Sequence, residues 1–87
     1  MADVTDVVTE TAAPTGRPRE TLDTRDLPPP RPLQETLERL ATLDAETVLV
    51  QVSDRTPQHL FPKLTDRGYA YDTVETDDGV VTVVWRG

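Results

Sequence analysis

The sequence predicts a two-layer α/β sandwich with the element order β-α-β-α-β-β, in which one mixed four-stranded sheet carries both helices on one face. Three patterns indicate this fold: apolar residues three and four positions apart, runs of β-branched residues, and an Asp-Gly pair between two such runs. The 87 residues allow one small domain, predicted over residues 21–87. Residues 1–20 lack leucine, aromatic residues and a regular apolar period, which predicts a flexible tail.

The first strand and first helix are separated by a proline-rich junction. A short strand is predicted within residues 21–27, and the following prolines should end it, because proline has no N–H to donate to a sheet. From Pro32 the apolar period becomes helical, and proline is well tolerated in the first turn of a helix. The predicted apolar stripe of this helix consists of Leu33, Leu37, Leu40 and Leu43.

The middle of the chain predicts a central strand and a second helix. Residues 46–54 are mostly apolar and β-branched, as is typical of a strand buried on both faces. In the helix that follows, Thr56 is the predicted N-cap, with Pro57 in the first turn and Gly68 as the left-handed C-cap. Pro62 conflicts with that start, so either it kinks the helix or the helix begins later. The predicted buried stripe is Leu60, Phe61 and Leu64.

The last two strands are predicted to form a hairpin. Residues 69–76 and 80–86 are rich in β-forming residues and flank Asp77-Asp78-Gly79. Thr82 and Arg86 predict that their face of the last strand is the wetter one. The opposite face is predicted to carry Val81, Val83 and Trp85.

Composition excludes several classes of site. The chain has no cysteine and a single histidine, so it has neither disulfides nor thiolate metal ligands, and we expect no metal and no cofactor. The net charge of −7 with a single lysine favours a cytoplasm of high salt concentration; the alternative is an ordinary acidic protein from a GC-rich genome. No segment has the pattern of a signal peptide or the length of a membrane span, so we expect a soluble cytoplasmic protein with no membrane partner.

Residues 22–37, "LDTRDLPPPRPLQETL", resemble the entry motif of the TusA/SirA sulfur-carrier family. That motif is an Asp, two variable positions, Gly and Leu, then one residue and Cys-Pro-x-Pro at the start of the first helix. Asp23 and Leu27 match the Asp and Leu of this motif, and residues 30–32 match its Pro-x-Pro. Phe61-Pro62 resembles the hydrophobic-Pro pair of the family's second helix. The resemblance implies the β-α-β-α-β-β fold.

Two departures remove the chemistry of that family. Asp26 replaces the glycine, and Pro29 occupies the position of the cysteine that carries the persulfide. Proline has neither sulfur nor N–H, so sulfur transfer by this mechanism is excluded. A closer similarity is to the cysteine-less relatives, an uncharacterised domain family (domain of unknown function 2249), in Asp23 to Pro30 and in residues 54–71. That similarity implies the fold and leaves the activity open.

The junction itself is the first candidate site. Pro28, Pro29, Pro30 and Pro32 fix the backbone between strand and helix, which gives them a structural role. The functional alternative is that this stretch, together with Arg31, docks into an aromatic groove of a partner protein. Arg25 and Arg31 beside a helix N-terminus alternatively predict a pocket for a small anion or metabolite. Against this pocket, Arg25 is also placed to pair with Asp23 or Asp26.

The remaining candidates are weaker. His59 would need Asp54 as its partner in acid–base chemistry, and a surface role is preferred. The acidic hairpin end favours solvated charge over a cation site. Tyr69, Tyr71 and Trp85 would form a base-stacking platform only alongside a basic patch, so RNA binding is the third alternative and packing is preferred. No nucleophile, phosphate-loop or zinc motif occurs. We therefore expect a non-catalytic module with an unknown protein partner, and we predict no catalytic residues.

Overall fold

The computed structural model describes residues 16–86 and confirms the predicted fold class. The four strands form one mixed sheet in the order β1-β2-β4-β3, with β1 parallel to β2 and the other pairs antiparallel. None of the helices in this part of the chain is long and apolar enough to cross a membrane. The elements are β1 (Arg19–Asp23), α1 (Arg31–Thr42), β2 (Val48–Ser53), α2 (Leu60–Asp66), β3 (Tyr69–Thr76) and β4 (Gly79–Arg86).

The first strand lies earlier than predicted. It runs over Arg19–Asp23, paired with β2, and it ends before the prolines rather than at them. The reason is local, because the carboxylate of Asp23 accepts the backbone N–H of Arg25 at 3.0 Å and so closes a turn. The strand therefore includes two residues of the predicted tail. Residues 1–15 of that predicted tail lie outside the described residues.

Helix α1 begins at the proline-rich junction, as predicted. It starts at Arg31, with Pro32 in the first turn, and ends at Thr42. Leu40 is buried, while Leu33 and Leu37 are half-buried against the sheet. Leu43, predicted to extend the stripe, lies just after the helix and packs in the same cluster.

Helix α2 begins later than its predicted N-cap. It covers Leu60–Asp66, so Thr56 and Pro57 lie before it, in the turn that leads into the helix. Pro62 is then the third helical residue, where a missing N–H costs nothing, since the first N–H groups of a helix have no intrahelical acceptor. The later start, one of the two predicted alternatives, is therefore correct. Gly68 has φ +80° after the helix, as predicted.

The helices cover one face of the sheet. Their leucines form the leucine layer with residues from two strands, and Phe61 stacks on Tyr71 with ring centroids 4.5 Å apart. The buried members of the leucine layer are Leu40, Leu49, Leu60, Leu64 and Val84.

The prediction that the face of β4 with Thr82 is the wetter one was wrong. Val84 belongs to the leucine layer, and Val80 and Thr82 share its face because alternate residues of a strand point the same way. All three are buried beneath the helix side of the sheet. The opposite side carries a second cluster, here called the valine face, which consists of Val48, Val50, Val52, Val81 and Val83.

Candidate functional site

Three consecutive prolines are exposed between β1 and α1. Pro28, Pro29 and Pro30 form what we call the proline ridge, and the Pro29–Pro30 peptide bond is cis. The carbonyl of Pro28 accepts the N–H of Arg31 at 2.9 Å, and the carbonyl of Pro30 accepts the N–H of Gln34 at 3.3 Å. The ridge is thus joined directly to the first turn of α1, and it presents apolar ring surface to solvent.

A buried threonine anchors the other end of the ridge. Thr24 is 1% exposed, and both its backbone N–H and its hydroxyl donate to the carbonyl of Val52 at 2.8 Å. The carbonyl of Thr24 in turn accepts the N–H of Leu27 at 3.1 Å. Because proline also fixes its own φ, the ridge is a short rigid segment held at both ends. Sequence reasoning did not identify Thr24, whose role depends on a strand 28 residues later in the chain.

Arg25 forms a bidentate ion pair with Asp23. Its Nη2 lies 2.7 Å from Oδ2 and its Nε lies 3.0 Å from Oδ1, while Nη1 lies 3.4 Å from the carbonyl oxygen of Asp78 in the β3–β4 turn. The side-chain hydrogen bonds from Arg25, followed by the hydrogen bond from its backbone N–H, lower the pKa of Asp23 from 3.8 to about 2. The same side-chain hydrogen bonds raise the pKa of Arg25. Arg25 is therefore occupied within its own chain.

This ion pair gives a pH-dependent contribution to stability. The pKa of Asp23 is lower in the folded chain than in the unfolded chain, so the stabilisation is present above about pH 4 and is lost as the pH falls towards 2. At pH 7 we expect Asp23→Asn to lower the free energy of unfolding by less than about 1 kcal/mol, since the side chain is 46% exposed. Urea unfolding of both proteins at pH 7, 4 and 2 should show the difference closing between pH 4 and 2.

A charge-matched variant controls for the loss of one carboxylate. Asp66 is exposed at the end of α2, so Asp66→Asn removes the same charge far from Arg25 in the chain. A difference between wild type and Asp23→Asn that stayed constant down to pH 2 would contradict the proposed role of the ion pair.

Arg31 also faces a carboxylate of its own chain. Its Nη2 lies 3.1 Å from Oε1 of Glu35, one helical turn later, and the arginine side chain remains 56% exposed. Elsewhere in residues 16–86, Arg39 pairs with Glu20 at 3.0 Å. The two arginines of the predicted anion pocket are therefore each neutralised by a neighbouring carboxylate, which disfavours a phosphate or sulfate ligand there.

Asp54 and His59 are not brought together by any described hydrogen bond or ion pair. Asp54 lies beside Arg55, with an N–O distance of 3.8 Å, and borders an open acidic groove with the β3–β4 turn. His59 is exposed immediately before α2 and makes no side-chain capping bond. Within residues 16–86, no group of three or more His, Asp or Glu side chains is arranged to hold a metal ion.

A polar cluster lies between α1 and the sheet, on the same side of the sheet as the leucine layer. Gln51 donates from Nε2 to the hydroxyl of Thr36 at 2.7 Å, and this hydroxyl donates to the carbonyl of Pro32 at 2.7 Å. Thr82 pairs with Gln51 across β2 and β4 and is also buried. The cluster fixes the first turns of α1 to the sheet. The one sequence signal for it is the single glutamine within the apolar run of β2.

The aromatic residues do not form one platform. Trp85 packs against the valine face, whereas Tyr69 and Tyr71 pack against the leucine layer on the opposite side of the sheet. Arg86 lies over the ring of Tyr69, 5.0 Å from its centroid. This arrangement favours the predicted packing roles over base stacking.

The comparisons with known proteins identify a family and no individual relative. The family model described as an uncharacterised conserved protein, DUF2249, matches residues 21–86. None of the curated proteins and none of the solved structures matches the chain. The matched residues run from the middle of β1 to the end of β4 and include the proline ridge. The chain therefore belongs to the DUF2249 family of uncharacterised conserved proteins.

Proposed function

We propose that this protein is a non-catalytic protein-interaction module that docks a partner protein through the proline ridge and Arg31. The observation that carries the proposal is that the ridge is exposed although it is held at both ends, by Thr24 and by the first turn of α1. A rigid apolar surface loses little conformational entropy on binding, which favours association. The flanking side chain of Arg31 is 56% exposed and adds polar contact surface beside the ridge.

The proposal includes kinship with the TusA/SirA fold family. The Pro-x-Pro at the start of α1 and the β-α-β-α-β-β order support it. On this reading Pro29 occupies the position where those carriers have a cysteine, just before the first helix. A sulfur carrier has to present that position to partner proteins, so the surface around it is suited to docking even when the sulfur is gone. Transfer of sulfur itself is excluded by the lack of cysteine.

The charges of the site favour a protein partner over a small anion or RNA. Arg25 is held by Asp23, and Arg31 lies against Glu35. Phosphate groups bind best to unpaired basic groups, and the chain carries a net charge of −7. The high-salt cytoplasm inferred from the composition stays a prediction, and high salt would weaken phosphate contacts further.

A pair of matched variants tests the docking surface. Pro29→Glu places a charge on the ridge without changing the residues that begin α1, and Pro62→Glu places the same charge at an exposed position of α2. We expect affinity capture from a native lysate, followed by titration of the recovered partner, to show binding about tenfold weaker for Pro29→Glu. Pro62→Glu should bind as wild type does. Circular dichroism of both variants checks that the fold is retained.

Two outcomes would contradict the proposal. Equal binding by Pro29→Glu and wild type would show that the ridge is not part of the interface. Amide shifts centred on Arg25 and Arg31 when inorganic phosphate or single-stranded RNA is titrated would indicate an anion site in place of a protein-docking surface.

A further inference from the structure

A groove beside the C-terminal half of α1 combines apolar residues with two arginines. Its volume is about 310 Å³, which is at the lower end of the range for small-ligand sites, about 300–1,000 Å³. Along β4 it lies at the opposite end from the acidic groove, and along α1 it lies away from the proline ridge. This arginine groove is lined by Leu37, Leu40, Ala41, Arg67, Tyr69 and Arg86.

The two arginines of the groove differ from those beside the proline ridge in their partners. Neither Arg67 nor Arg86 forms an ion pair with a carboxylate among residues 16–86. Arg67 is exposed just after α2, and its guanidinium has no hydrogen bond to another residue in this part of the chain. A ligand anion therefore reaches both guanidinium groups without displacing a carboxylate of the protein.

Arg86 is held in position by Tyr69. Its guanidinium lies 5.0 Å from the centroid of the ring, and its Nη2 donates to the ring hydroxyl at 3.3 Å. That hydroxyl donates to the carbonyl of Leu40 at 3.3 Å, and Arg17 donates to the carbonyl of Arg86 at 2.7 Å. A guanidinium has five N–H donors and keeps those at its edge free when it stacks on a ring. The groove thus offers a donor that is already oriented before a ligand binds.

We propose that the arginine groove binds a small organic carboxylate. The two parallel N–H groups of a guanidinium match the two oxygens of a carboxylate, so Arg67 and Arg86 hold the charged end of the ligand. Leu37 and the ring of Tyr69 are half-buried and provide apolar surface for its hydrocarbon body. The proposal is independent of the docking function of the proline ridge.

The position of the groove favours a carboxylate over a phosphate. Phosphate groups are typically bound by the backbone N–H groups at the start of a helix, where the helix dipole is positive. The arginine groove lies instead beside the C-terminal half of α1, where the dipole is negative. A ligand with a single charge and two oxygens is therefore preferred to one with two charges and three oxygens.

Titration of the full chain with hexanoate tests the proposal, with nuclear magnetic resonance as the readout and ionic strength held constant. We expect saturable shifts of the methyl groups of Leu37 and Leu40 and of the side-chain N–H groups of Arg86, with a dissociation constant on the order of 1–10 mM. Acetate lacks the apolar body, and hexanamide lacks the charge. Each should bind about fivefold more weakly or less, since each loses one of the two contributions.

Matched arginine variants locate the site. Arg67→Gln removes a charge that has no partner among residues 16–86, and Arg55→Gln removes the same charge from a side chain that is 83% exposed beside the acidic groove. We expect hexanoate to bind about fivefold more weakly to Arg67→Gln and as in wild type to Arg55→Gln. Arg86→Lys keeps the charge but loses the planar fork, and it should also weaken binding. Circular dichroism checks that each variant is folded.

Four results would overturn the proposal. Equal binding of acetate and hexanoate would mean that the groove holds a simple ion only, and equal binding of hexanamide would mean that it recognises only the hydrocarbon. Tighter binding of hexyl phosphate than of hexanoate would replace the carboxylate with a phosphate ester. Unchanged affinity in Arg67→Gln would place the anion elsewhere. None of these results affects the proline ridge, whose docking function is tested separately by Pro29→Glu.

Discussion

Replacing Gly79 with alanine is expected to lower the free energy of unfolding by about 3 kcal/mol, because backbone strain and overpacking are both imposed at one position. Gly79 is the first residue of β4 and has φ +137°, a conformation that side chains with a Cβ rarely adopt. A Cβ built there would also clash with the carbonyl oxygen of Ser53, at the end of β2. Chemical denaturation followed by circular dichroism measures the effect.

Gly68 provides the matched comparison. It also has a positive φ, +80°, but a Cβ added there would meet no atom within 4 Å. We expect Gly68→Ala to cost about 1–2 kcal/mol, which is the left-handed backbone penalty without the clash. Equal losses for the two variants would mean that β4 moves away from Ser53 at no cost, and the close approach of the two strands would then not be a source of stability.

The expected effect of Gly79→Ala extends to the proline ridge. A Cβ at Gly79 would lie 3.7 Å from Cδ of Arg25, and Nη1 of Arg25 already contacts the carbonyl of Asp78. A shift of the β3–β4 turn therefore displaces the guanidinium that holds Asp23 at the end of β1. The hairpin end and the end of β1 are one structural unit, although 53 positions of sequence separate Arg25 from Asp78.

The elements that the sequence predicted well are those whose pattern is local. The leucine stripe of α1 and the two strands around Asp77-Asp78-Gly79 each have a period that needs no knowledge of the rest of the chain. The apolar run of β2 was correctly placed at the centre of the sheet for the same reason. The proline ridge was likewise visible in the sequence, since consecutive prolines cannot donate to a sheet or continue the interior of a helix.

The features that the sequence did not predict depend on distant partners. The anchor that follows β1, the hydrogen bond from the Thr24 hydroxyl to the carbonyl of Val52, joins residues 28 positions apart, and the sequence of neither segment indicates the other. Thr82 was assigned to the wetter face because it is polar, yet its side of the sheet is covered by helices. For Thr24 and Thr82, tertiary contact overrides a local preference. The ion pairs of Arg25 with Asp23 and of Arg31 with Glu35 are local instead, two and four residues apart, and the pairing of Arg25 with Asp23 was one of the predicted alternatives.

Replacing Leu64 with alanine is the second change with a large expected effect. Helix α2 has seven residues, too few to be stable alone, so its packing holds it in place. Leu64 is fully buried in the leucine layer, one helical turn after Leu60. Removing a buried leucine side chain costs about 2–5 kcal/mol. A domain of this size has a stability of about 3–10 kcal/mol, so the variant is expected to be unfolded in part at 37 °C.

Lys63→Ala is the matched control, because it truncates the exposed neighbour of Leu64 on the same short helix. It should change the free energy of unfolding by less than about 0.5 kcal/mol. Amide hydrogen exchange distinguishes two consequences of Leu64→Ala. If α2 alone opens, protection falls in Leu60–Asp66 and β3 stays protected; if the leucine layer acts as one unit, protection falls throughout. We expect the second, since Leu64, Leu40, Leu49 and Val84 form one buried cluster that joins both helices to the centre of the sheet.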